Sequence, residues 1–175
     1  MSTELVSMVL LIGLLGVAVV SDLLSHRIPN MLVLVGLTLG LIGQMYTGGV
    51  SGLGDGLLGI LICFALFLPM YAFGGMAAGD VKLMAMVGSF LPFQLALWAA
   101  MFSLIAGGVC GLLIVLVRGQ LRQTLGRYWL ILRAQAYLAP TSDEVAGKPF
   151  PYSIAILIGT LSSIYWQLVV VGFGG

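Results

Sequence analysis

Apolar stretches separated by short polar or glycine-rich breaks run the length of this chain. They fall at about Leu5–Leu24, Met31–Tyr46, Leu57–Phe73, Val81–Leu91, Phe93–Val117 and Tyr152–Phe173. A run of roughly 20 apolar residues is long enough to cross a bilayer as a helix. The pattern predicts an all-α, polytopic membrane helix bundle of about six transmembrane helices, forming one integral-membrane domain over residues 1–175. The fourth run is short and can span only if its neighbours shield it. The first run begins directly after Met1-Ser2-Thr3-Glu4, with no basic leader and no A-x-A site. It is expected to be a retained span and not a signal peptide.

Composition supports the same class. The chain is 61% hydrophobic and 7% charged, against roughly 45–50% and about 25% in ordinary globular proteins. Its 25 glycines favour close helix approach and a compact bundle. A net charge of +1 offers nothing to nucleic acid. Cys63 and Cys110 both lie in apolar runs and form no CxxC pair, so they suit packing, and no metal site or cofactor is expected.

The cations orient the bundle. Arg118, Arg122, Arg127, Arg133 and Lys148 crowd into residues 118–150, between the fifth and sixth runs. By the positive-inside rule that loop is cytoplasmic. Alternation then puts Arg27 and Lys82 on the same side and both termini on the outer face. Within the loop, Leu121, Leu125, Tyr128 and Leu132 recur at helical spacing while Leu130 and Leu138 break it, so 119–138 reads either as a helix lying in the cytoplasmic membrane interface or as a plain basic linker. Its arginines could attract anionic lipid headgroups. Trp98, Trp129 and Trp166 suit packing and interfacial anchoring.

The chain has only six acidic residues. Two of them, Asp22 and Asp80, fall at the cytoplasmic ends of their spans. Ionisable groups at such places are costly and point to function. Two close carboxylates in a poorly solvated site share one proton, because both cannot ionise cheaply. One can then accept a proton from water while the other donates to a peptide carbonyl oxygen. The structural alternatives are a solvated helix end for Asp22 and a helix N-cap for Asp80. A literal Gly52-Leu53-Gly54-Asp55 string is a decoy. Asp55 falls on the opposite side of the membrane and reads as the N-cap of the third span. His26, beside Arg27, reads as a solvated loop residue, and Pro29 as the start of the second span.

These residues resemble a known family. Asp22 followed by Ile28-Pro29-Asn30, then Gly74-Gly75-Met76-Ala77-Ala78-Gly79-Asp80-Val81-Lys82-Leu83, looks like a prepilin peptidase, the GxGD-type aspartyl protease of type IV pilus and type II secretion systems. Pro149-Phe150-Pro151-Tyr152 is a weaker match. Ala77 stands where the family pattern has glycine; it permits close packing but not a left-handed backbone. The resemblance implies that Asp22 and Asp80 are the catalytic pair. Lys82, Asn30 and Gly79 are candidates to shape the site or bind substrate: Lys82, two residues past Asp80, either receives the glutamate that follows the cleavage point in such substrates or simply snorkels at a span end. It implies prepilin or pseudopilin substrates with a basic leader ending in glycine, cut at the cytoplasmic face of the inner membrane. Pilus or secretion assembly proteins would be further partners. The length is that of short, peptidase-only members serving Flp (Tad) pili. Longer members carry a cysteine-tetrad insert and also N-methylate the product; no such insert occurs in this sequence, so no methyltransferase activity is expected.

Two other classes compete. A small-solute transporter or channel subunit would also have glycine-rich spans, but would place its charges near the midplane of broken helices. A non-catalytic scaffold of a secretion machine would tolerate Asn at both aspartates.

Overall fold

A computed structural model describes residues 2–117 and 151–171, and all of their regular structure is helical. The elements are α1 (Ser2–Ser25), α2 (Asn30–Ala72), α3 (Ala78–Phe90), α4 (Phe93–Val117) and α5 (Ser153–Trp166), which runs into a π-helical turn, Gln167–Val171. The predicted interfacial helix at 119–138 and its cluster of cations lie outside the described residues.

Among the described residues, three helices are long and apolar enough to cross a membrane: Glu4–Ser25, Asn30–Ala72 and Phe93–Ile114. A shorter apolar helix covers Ser153–Val169. Their outward faces carry exposed Leu5, Val9, Leu61, Leu112 and Val109, the surface expected to meet lipid rather than water.

The sequence pattern placed a polar break between its second and third runs. Helix instead continues through it, interrupted only at Gly49, where φ is 61° and ψ −139°. That left-handed backbone suits a residue without a Cβ. The chain reverses there. A Cβ on Gly52 would meet the Gln44 carbonyl oxygen, and one on Gly56 would meet Leu41 and Gln44. In a straight helix rising 1.5 Å per residue, partners that far apart in sequence are more than about 10 Å apart. α2 is thus two antiparallel limbs, 30–48 and 50–72.

The second limb ends in a Schellman motif. Gly75 N–H bonds to Met70 C=O at 2.8 Å and Gly74 N–H to Tyr71 C=O at 2.9 Å. Gly74 takes the left-handed φ of 72° that this stop requires.

α3 is the buried centre of the bundle. Its 13 residues span about 20 Å, and all from Asp80 to Phe90 are buried except Lys82. Leu83, Met84 and Met86 pack against Leu11 and Leu15 of α1, Phe67 of α2, Ala96 and Ala99 of α4, and Ile156 of α5. Gly59 and Gly88 meet backbone to backbone, and a Cβ on either would strike the other's main chain. That contact lets α3 lie directly against the second limb of α2. At its far end, Gln44 Nε2 donates to the Phe90 carbonyl at 2.8 Å, satisfying one of the helix's orphan acceptors.

Candidate active site

Asp22 lies in the last turn of α1. The helix stops beyond it because His26 takes φ 50°, with its N–H bonded to the Asp22 carbonyl at 2.8 Å. Ser21 Oγ donates to the Arg27 carbonyl at 2.9 Å, tying the turn back to α1. Pro29 then takes φ −62° and ψ 127° as the N-cap of α2, one residue ahead of the helix it was expected to begin. Its missing N–H costs nothing at this position.

Asp80 lies in the first turn of α3, directly ahead of the apolar run that starts at Val81. It is not the N-cap; that position belongs to Ala77, in extended backbone at φ −82° and ψ 155°. The Ala77 N–H donates to Asp80 Oδ2 at 3.1 Å, the reach-back half of a capping box. Alanine therefore fits the place of the family's glycine, and the left-handed position in this loop is Gly74.

The two carboxylates come together. Both line a cavity of about 250 Å³, with His26, Arg27, Asn30 and Lys82 around its mouth and Ile28, Ala77 and Gly79 in its wall. Asp22 is 8% exposed and Asp80 3%, while His26, Arg27, Asn30 and Lys82 are exposed. Burial, the largest influence, pushes the Asp80 carboxyl up to about 7; the Ala77 N–H opposes this, and the charge of nearby Asp22 adds to it. Lys82 Nζ donates to Asn30 Oδ1 at 3.2 Å across the mouth. A Cβ on Gly79 would meet only the Ile28 side chain, at 3.5 Å. That is ordinary contact, so no steric need for glycine arises there.

Ser153 is a residue that the sequence pattern did not single out. It is the first residue of α5, fully buried, and its Oγ donates to Asp22 Oδ2 at 2.6 Å. The available signal was local only: a hydroxyl directly after Pro151-Tyr152 at the head of an apolar run.

Asp55 lies elsewhere. It is exposed, sits inside the second limb of α2 beyond Gly49, and so is not a helix N-cap. It lines a different cavity with Glu4, from the start of α1, and Gln44. Asp22 is at the other end of α1. Cys63 is buried and Cys110 half-buried, both as free thiols. Trp98 stacks on Phe102 at a centroid distance of 5.8 Å, and Trp166 lies tilted against both at 6.3 and 6.4 Å. Among the described residues no three His, Cys, Asp or Glu side chains converge on a metal-sized site.

Comparison with known proteins adds a family. Residues 9–115 match the model of the type IV leader peptidase family, a stretch that contains both buried aspartates. A prepilin leader peptidase/N-methyltransferase from Myxococcus xanthus (strain DK1622) is 28% identical over 158 residues, covering 86% of this chain. The chain spans 43% of that relative's length. No solved structure matches it. With the family model matched over more than half of its residues, the chain belongs to the type IV leader peptidase family.

Proposed function

We propose that this protein is a membrane aspartyl endopeptidase that removes the leader of type IV, Flp-like prepilins or pseudopilins, with Asp22 and Asp80 as its catalytic pair. The observation that carries this is that two buried carboxylates, on separate helices, line one cavity. Water held between them loses a proton to the ionised carboxylate as its oxygen attacks the scissile carbonyl carbon. The protonated carboxyl donates to the carbonyl oxygen. Collapse of the resulting diol returns a proton to the leaving amine. With its pKa near 7, Asp80 is suited to holding the shared proton at neutral pH.

The exposed cations at the mouth favour a cytoplasmic site. In this arrangement the two limbs of α2 are separate spans, making six with α1, α3, α4 and α5, and the termini lie outside. Lys82, steadied by Asn30, is placed to receive an acidic residue beside the cleaved bond. The N-methylation in the relative's name is not proposed for these residues, whose two cysteines both lie in apolar helices. The family match draws support away from a solute transporter or a scaffold.

The test is co-production of the full chain with a prepilin, with leader loss read by gel shift and N-terminal mass. Wild type and Asp55→Asn should cut. Asp22→Asn and Asp80→Asn should not, at equal membrane abundance. Cutting by either of the last two would end the proposal.

A further inference from the structure

We infer that Ser153 is a positioning residue, whose buried hydroxyl holds the Asp22 carboxylate in place as the water-activating member of the pair. This rests on the aspartyl peptidase reading and assigns the two carboxylates different roles within it.

The hydrogen bond is short and enclosed. Ser153 Oγ lies 2.6 Å from Asp22 Oδ2, in the range of an O–H donor to a charged carboxylate. Ser153 is fully buried and Asp22 nearly so. A buried hydroxyl bonded to one carboxylate oxygen fixes the rotation of the whole group, so the donor on α5 sets how Asp22 faces its partner.

The hydroxyl is placed by its neighbour. Tyr152 fills a notch at Gly107, where a Cβ would collide with its ring. Its ring meets Phe67 edge-on at 6.0 Å, and its hydroxyl donates to the Ser103 carbonyl at 3.3 Å. The head of α5 is therefore anchored to α4 and α2, and Ser153 points at Asp22 from a fixed base.

Other groups around Asp22 do not duplicate this role. His26 and Arg27, from the turn after α1, and Lys82, from α3, are exposed at the cavity mouth. Lys82 bonds to Asn30. Asp80, the remaining ionisable group from α3, accepts the Ala77 N–H, and burial suits it to hold the proton of the pair. From α5, the ionisable neighbour is Tyr152, with its hydroxyl on Ser103.

The test uses the full chain in proteoliposomes. The substrate is a synthetic peptide carrying a basic leader, the glycine–glutamate junction and the start of an apolar helix. Cleavage is followed by mass for wild type, Ser153→Ala and Ser153→Thr. Ser153→Ala should lower kcat by roughly 10- to 100-fold with KM within about twofold. Ser153→Thr, which keeps the hydroxyl, should recover most of kcat. A Ser153→Ala loss that falls on KM and not kcat, or equal activity in the Ala and Thr forms, overturns the inference. So does failure of both variants to accumulate in membranes, which would make Ser153 a residue of the fold and not of the site. Cutting by Asp22→Asn would instead defeat the underlying peptidase reading, whatever Ser153 does.

Discussion

Replacing Asp80 with asparagine should make the protein more stable at pH 8, although it should abolish cleavage. The carboxyl is 3% exposed, and burial raises it from 3.8 to about 7. A carboxyl raised in this way binds its proton more tightly folded than unfolded. Stability from this group is therefore complete below about pH 4 and is lost progressively as pH rises to about 7. At about 1.4 kcal/mol per pH unit, that interval corresponds to about 4 kcal/mol at most. The asparagine side chain would carry no charge to desolvate, and its amide oxygen can still accept the Ala77 N–H, as Asp80 Oδ2 does at 3.1 Å. Part of the gain is offset because a neutral amide accepts more weakly than a carboxylate. A net gain of about 2–4 kcal/mol remains at pH 8, or roughly 5–10 °C in Tm for a chain of this length. At pH 4 the two forms should differ by less than about 1 kcal/mol. The assay is intrinsic-fluorescence melting of both proteins in the same mild detergent at pH 4, 6 and 8. A variant that melts at or below wild type at pH 8, or that differs from it equally at all three values, would refute the burial argument.

Cleavage by wild type should fall about tenfold per pH unit above about pH 7, as the proton held by Asp80 is lost; a flat profile from 6 to 9 would count against the shared-proton mechanism. Gly88→Val should displace α3 from Gly59 and cost roughly 1–3 kcal/mol or more, visible as low membrane abundance and a depressed Tm. Gly79→Ala should be tolerated, with stability within about 0.5 kcal/mol and activity near wild type, since its Cβ would meet Ile28 at 3.5 Å; loss of activity at normal abundance would show that the glycine serves the substrate. Lys82→Glu should weaken cutting of a substrate with glutamate after the junction and improve when that glutamate is changed to lysine, read by the same mass assay.

The helical class, the rough positions of the apolar segments and the candidate aspartates were legible in the sequence, because each is written in local pattern. Asp22 and Asp80 stand out as charges at the edges of apolar runs. Other features depend on partners far along the chain. The polar break at 47–56 reads as a loop from its glycines and hydroxyls, yet helix persists there because the two limbs of α2 pack on each other on either side of Gly49. Asp55 reads as an N-cap for the same reason and is interior to a limb. Ala77 looked like a departure from pattern, but the left-handed demand in that loop falls on Gly74. Ser153 escaped notice because its meaning lies in a carboxylate 131 residues away.

That separation gives the cavity a history. A ribosome delivers Asp22 first and Asp80 later, each on its own apolar helix, and the hydroxyl donor to Asp22 follows 131 residues after it. Until α5 docks its first residue against α1, Asp22 Oδ2 lacks that donor. A nascent chain halted after α4 would contain every residue that lines the cavity and still lack the hydroxyl that holds Asp22. Docking of α5 thus acts as a maturation step, coupling the positioning of Asp22 to the synthesis of a helix far along the chain.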